Sequence, residues 1–218
     1  MIGKIIDTPT GNDYIEMRAK GFEKISPQRK YHGISTQIIA QIKNVRVPFN
    51  IDIGVGDIIF PRAEERTINT QLPDFEAPII KTYSLESTIA EKFDAILQRF
   101  ELTERMKDFY DIYYLSRTFN FDGERLQSAI FNTLQRRGTP YDRDSFKRVV
   151  SLADDEDMQK RWKYFLKTIK DDTLEFSVVI EEIQGFLEPV FDAIVNEDEW
   201  QKQWHSTECN WKVVKDNE

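Results

Sequence analysis

Six apolar residues stand at alternate positions along one stretch of the chain: Val45, Val47, Phe49, Ile51, Ile53 and Val55. Arg46, Pro48, Asn50, Asp52 and Gly54 lie between them. A period of two predicts a strand with one buried face, because successive side chains point to opposite sides of the pleat. Upstream, Ile34–Ile42 (ISTQIIAQI) is β-branched and largely apolar, and only Lys43 and Asn44 separate it from the alternating run. Two strands joined by two residues predict an antiparallel hairpin. A further strand is expected within Asp13–Ile25 and a short edge strand over Pro78–Thr82. Gly54 and Gly56 loosen the chain ahead of Asp57, which reads as a turn residue, and a connection follows through Pro61 and Pro73.

From Ser84 the period changes. Leu85, Ile89, Phe93, Ile96, Leu97 and Phe100 recur at helical spacing behind Ser84, a good N-cap, with Glu86 suited to the first turn. A second helix is expected from about Thr103 to Arg117. A third runs from Gly123 to about Arg137, with Leu126, Ala129, Ile130 and Leu134 inward and Gly138 and Pro140 as its stop. Two more cover about Asp155–Lys170 and Thr173–Val195, the last with Gly185 and Pro189 as kink points. Strands first and helices after make an α+β fold: a small, mainly antiparallel sheet followed by a C-terminal helical bundle. The expected divisions are a sheet region over 1–82, a bundle over 83–195 and a polar tail over 196–218. The tail carries Trp200, Trp204 and Trp211; Trp200 and Trp204, one turn apart, suit docking onto the body of the protein or a partner better than base stacking.

Composition narrows the chemistry. Thirty basic against 38 acidic side chains give a net charge of −8, which argues against non-specific binding to nucleic acid or a membrane surface but leaves room for a local basic groove. One cysteine, Cys209, excludes a disulfide framework within the chain, and His32 and His205 are too isolated for a histidine-rich site. No apolar run suits a signal peptide or a membrane span, so a cytoplasmic protein is expected.

The candidate residues are charges placed where apolar groups belong. Lys92 sits one helical turn from Ile89 and from Ile96; Asp108 and Asp111 lie three apart, flanked by aromatics. Like charges at that spacing repel by a few tenths of a kcal/mol, on the order of the helix-pair scale, so a cation is expected beside them. Lys92, Arg105 and Arg117 are the candidates. An inter-helix salt bridge between Lys92 and Asp108 explains the pattern structurally; the same pair facing a ligand explains it functionally, with Lys92 as a point charge for a phosphate. Asp52, on the non-core face of its strand, is placed to reach a metal or a phosphate-bound cation, although taken alone it reads first as a solvated strand residue. Lys160, Lys163, Lys167 and Lys170 follow helical spacing and read first as a solvated face, with contact to an RNA backbone as the alternative.

Ser84 to Leu115 closely resembles the C-terminal conserved region of the AbiEii/AbiGii-type nucleotidyltransferase toxins. Members show a tyrosine-led helix with an Ala-Glu-Lys core, then an Arg-x-(Lys/Arg)-Asp-Phe-x-Asp helix; Tyr83, Ala90-Glu91-Lys92 and Arg105-Met106-Lys107-Asp108-Phe109-Tyr110-Asp111 stand in those places here. Tyr31-His32-Gly33 and Ile51-Asp52-Ile53-Gly54, with Gly56-Asp57, are similar to the family's middle segment. The resemblance covers most of residues 30 to 140. It implies a nucleotidyltransferase fold and transfer of a nucleoside monophosphate from an NTP, with Mg²⁺, to an acceptor that in characterised relatives is RNA, notably tRNA 3′ ends. It also implies a toxin paired with an antitoxin, in a toxin–antitoxin or abortive-infection (phage-defence) setting. By the same resemblance Lys92 holds the triphosphate, Asp108 serves the active site, and Asp52 stands near the third strand carboxylate as a metal ligand.

The family begins with a Gly-Gly/Ser turn and an Asp-x-Asp strand. Gly33-Ile34-Ser35 followed by Asp52 is not that motif: the spacing is long, and Gly54 occupies the place of the second aspartate. The chain is therefore read as starting after the motif, with its sheet a remnant. Two readings stay open: an enzyme that needs the metal-binding half from elsewhere, and a non-catalytic relative acting as a protein- or RNA-binding module. A remnant sheet edge also leaves room for a second copy of the chain as partner.

Overall fold

The computed structural model describes residues 2–8, 14–25, 33–54, 59–71 and 74–213. Tyr31, His32, Val55, Gly56, Asp57 and Pro73, used in the sequence reading, lie outside the described residues. The chain divides into two compact units, Met1–Asp57 and Ile58–Glu218.

The first unit holds a short helix α1 (Ile2–Ile6) and an antiparallel sheet of β1 (Glu16–Ile25), β2 (Gly33–Ile42) and β3 (Val45–Ile53), in that order. Lys43 takes φ 52° in the two-residue turn, and Ile42 pairs with Val45 across it. That turn sets the register, so Ile34, Thr36, Ile38 and Ala40 oppose Ile53, Ile51, Phe49 and Val47 on one apolar face. A bulge between Ala19 and Phe22 interrupts β1, and the Thr36 hydroxyl donates to the Gly21 carbonyl there at 2.7 Å.

The alternation is present but the expected burial is not. Ile38 is fully buried, whereas Val45, Val47 and Phe49 remain 57, 53 and 40% exposed. Among the described residues the only other regular element of this unit is the five-residue α1, too small to cover the face of a nine-residue strand. Alternation records which side of a pleat is apolar, not what lies on it.

The second unit opens with a two-stranded ribbon, β4 (Glu64–Thr67) and β5 (Ile79–Thr82). Six helices follow: α2 (Leu85–Arg99), α3 (Met106–Thr118), α4 (Gly123–Arg137), α5 (Ser145–Ser151), α6 (Glu156–Ile169) and α7 (Phe176–Asn196). Their ends have local causes. Ser84 Oγ accepts the Ser87 amide at 3.1 Å, Asp122 the Arg125 amide at 2.9 Å and Asp155 the Met158 amide at 2.8 Å. Gly138 closes α4 at φ +63°, the left-handed conformation that glycine adopts without a Cβ clash.

Helix α7 is the spine. Val179, Ile183, Phe186, Leu187, Val190 and Phe191 on it are completely buried, and it packs against α3, α4 and α5. Phe93, Phe146 and Phe191 bring α2, α5 and α7 together with ring centroids 5.7 Å apart. The last described residues form strands. β7 (Lys202–His205) pairs with β8 (Asn210–Val213) and with the two-residue β6 (Phe121–Asp122). The Trp204 indole donates to the Ser116 carbonyl at 2.6 Å, and that of Trp211 to the Phe186 carbonyl at 2.9 Å. These tryptophans dock the C-terminal hairpin onto α3 and α7. No helix among the described residues is long and apolar enough to cross a membrane.

Candidate functional site

Helix α2 buries Ile89, Phe93 and Ile96, and Lys92 lies on the edge of that face with a side chain only 16% exposed. Helix α3 buries Phe109 and Ile112 and, on the same side, the side chain of Asp108, which is 3% exposed. The packing of α2 against α3 brings the two charges together. Lys92 Nζ donates to Asp108 Oδ1 at 3.2 Å and lies 2.6 Å from Asp111 Oδ2. One ammonium thus answers both carboxylates, which relieves the repulsion expected of that pair.

Further cations complete the cluster. Arg105 donates Nη2 to Asp108 Oδ1 at 3.2 Å, and Lys107 donates to Asp111 Oδ2 at 2.6 Å. Arg105 Nε stands 2.7 Å from Asp108 Oδ2 but outside hydrogen-bond alignment, so this buried oxygen has a charged neighbour and no aimed donor. Arg117, one of the three cations considered for these carboxylates, points elsewhere. It pairs with Glu182 of α7 at 3.1 Å, because the far end of α3 faces α7.

Lys92 and Asp108 border a cavity of about 730 Å³ between α3 and α6, within the usual range for a small-molecule site. Lys92, Arg105, Lys107, Lys160 and Arg161 line it against two acids, Glu104 and Asp108. More cations than acids line the cavity, and from just outside the lining Asp111 answers Lys92 and Lys107 while Asp157 lies 3.1 Å from Lys160. Arg161 is fixed there by donating to the carbonyls of Glu101 at 2.7 Å and Thr103 at 3.0 Å. Tyr164 and Phe165 add ring surface.

Asp52 belongs to the other unit. It is exposed on β3, and its Oδ1 accepts the Ser35 hydroxyl at 2.6 Å across the β2–β3 pair. Ser35 and Asn50 also line a polar groove of about 390 Å³ on that sheet. Among the described residues no group of three or more His, Cys, Asp or Glu side chains could hold a metal ion.

Sequence reasoning found Lys92, Asp108 and Asp111 because a charge at an apolar position is visible in the pattern. It passed over Arg161, Tyr164 and the Ser35–Asp52 contact. Only the last had a sequence signal: the two-residue turn that pairs Ile42 with Val45 also sets Ser35 opposite Asp52.

No curated protein matches the chain. A family model does, over residues 1–203, and its description is "Nucleotidyl transferase AbiEii toxin, Type IV TA system". With nearly the whole chain matched, the protein belongs to the AbiEii family of nucleotidyltransferase toxins of type IV toxin–antitoxin systems, a family in which an antitoxin is the expected partner.

Proposed function

We propose that this protein transfers a nucleoside monophosphate from an NTP to an RNA acceptor, and that the Lys92–Asp108 cluster is the chain's own contribution to that reaction. The family membership supports the reaction class. The observation that carries the residue assignment is a largely buried ammonium, held by two carboxylates, at the edge of a cavity lined by more cations than acids.

In such a transfer the acceptor hydroxyl oxygen forms a bond to the α-phosphorus, the bond from phosphorus to pyrophosphate breaks, and pyrophosphate leaves with the electron pair. The hydroxyl proton passes to a base. Catalysis of this kind is mostly positioning and charge stabilisation. Lys92 supplies a fixed positive charge to the triphosphate, and Asp108 with Asp111 holds the ammonium in place before substrate arrives.

The test is label transfer from α-labelled NTPs to a mixed RNA pool, with and without Mg²⁺. The intact protein is expected to transfer label, and Lys92→Ala and Asp108→Ala are each expected to lose it. Full transfer by both variants would remove these residues from the mechanism. RNA binding without transfer by the intact protein would favour the non-catalytic alternative.

A further inference from the structure

The cavity beside Lys92 has features that holding a triphosphate does not require. Its α6 wall carries Lys160, Arg161, Tyr164, Phe165 and Thr168, which recur at helical spacing along one face. Tyr164 is 73% exposed and offers a ring face to solvent at the cavity mouth. Phe165, partly buried, packs its ring at a tilt against Trp162 at 5.4 Å and Tyr110 at 5.7 Å, and it lines the cavity next to Tyr164. Aromatic surface beside a cationic rim suits a planar ring that carries a phosphate.

The positive charge does not stop at the cavity. Lys163 and Lys167 are exposed on the flank of Lys160 and continue the line along α6. From Lys160 to Lys167 the helix advances roughly 10 Å at 1.5 Å per residue. That is about the rise of three stacked nucleotides at 3.4 Å each. A single nucleotide would leave most of this stripe unused, whereas a strand running out of the cavity would follow it.

We propose that the cavity between α3 and α6 receives the end of a single-stranded nucleic acid, its terminal base stacked on Tyr164 and its phosphates tracked by Lys160, Lys163 and Lys167. The proposal rests on the transferase reading above and places the acceptor strand on α6, beside the ammonium assigned to the NTP. Recognition of this kind tolerates many sequences, because every base has a ring face and every link a phosphate.

The experiment is fluorescence anisotropy of the full chain with a labelled, unstructured 12-nucleotide oligoribonucleotide and its deoxy counterpart, read across a salt series, beside ATP binding and label transfer. Tyr164→Ala is expected to weaken oligonucleotide binding by about tenfold, from the loss of one stacked base, and Tyr164→Phe to change it less than about twofold. Lys160→Glu with Lys163→Glu is expected to weaken it further and to flatten the log–log salt slope by about 1.4, two contacts at about 0.7 each. Tighter binding of the ribo strand would add a contact to the 2′-hydroxyl and support the site as an RNA site; equal binding would support it as a general single-strand site. Unchanged oligonucleotide binding in both the Tyr164→Ala and the double-lysine variants would overturn the proposal. So would loss of ATP binding in Tyr164→Ala with oligonucleotide binding intact, since that result assigns the cavity to the donor nucleotide. Label transfer separates the two readings: normal transfer by Tyr164→Ala with unaltered oligonucleotide binding removes this proposal and leaves the transferase, whereas Tyr164-dependent binding without transfer by the intact protein does the reverse.

Discussion

Replacing Lys92 by methionine tests whether the ammonium locks two helices, serves a ligand, or does both. The side chain stays unbranched, loses one heavy atom of its length and loses its charge. Asp108, 3% exposed, then keeps Arg105 as a cation, and Asp111 keeps Lys107 at 2.6 Å. Removing one partner of a buried pair costs about 3–5 kcal/mol when the other is left alone. With Arg105 half exposed but still in place, about 2–3 kcal/mol is expected. For a unit of this size that corresponds to a fall in Tm of about 4–12 °C.

The double change Lys92→Met with Asp108→Leu removes both charges and leaves an apolar pair of similar volume. Such replacements are often neutral, so stability is expected to return to within about 1 kcal/mol of the parent. All four tryptophans, Trp162, Trp200, Trp204 and Trp211, lie in the second unit, so indole emission follows the unfolding of that unit without a contribution from the first. Label transfer is read on the same samples. The double variant should be folded and inactive, a combination that a purely structural pair does not produce. Undiminished transfer by the double variant would refute the functional assignment, and a melting point for Lys92→Met unchanged within 1 °C would refute the energetic one.

Other positions give independent checks. Phe191→Ala empties the meeting point of Phe93, Phe146 and Tyr141 and is expected to cost about 3–5 kcal/mol in denaturant unfolding. At Gly123 a Cβ would lie 2.6 Å from both the Lys202 carbonyl oxygen and Trp200 Cδ1, so Gly123→Ala must shift backbone and should lose about 1–3 kcal/mol, seen as earlier loss of the indole signal. A hydrogen bond from Arg148 at 2.6 Å holds the Glu101 carboxyl below its ordinary range, so the pair stabilises the fold above that range and the benefit fades as pH falls through the lowered value; both groups are exposed, so the ion pair should contribute well under about 1 kcal/mol, and Arg148→Ala should cost less in acid than at neutral pH, the remainder being its contact with the Phe100 ring, measured by paired melts. Burial pushes the Cys209 thiol up, and iodoacetamide should therefore label it more slowly in the native protein than in denaturant at the same pH, followed by mass spectrometry.

How much of this was legible in the sequence depends on whether a feature is local. The hairpin could be read because the Lys43–Asn44 turn and the period of two are both short-range, and every pairing down to Ser35 with Asp52 follows from them. The helix ends could be read at Ser84, Asp155 and Gly138 because a cap is chemistry within three residues. α5 escaped because seven residues with two buried side chains carry too little periodicity, and the strand state of the tail escaped because its partner β6 lies some eighty residues upstream. The site divides along the same line. Lys92 and Asp108 announced themselves, since a charge among apolar positions must be answered by another charge wherever it packs. Which cation answered was a matter of tertiary direction: Arg117 sits on the same helix as Asp108 and Asp111, yet it is turned to Glu182. Tyr164 announced nothing. An exposed ring on a polar helix costs little in water, and its meaning comes only from the open space beside it, which α3 and α6 enclose from opposite sides. Reading residues that are costly to bury therefore finds the groups that hold charge, whereas the surface that would meet a second substrate emerges only when helices distant in sequence are set side by side.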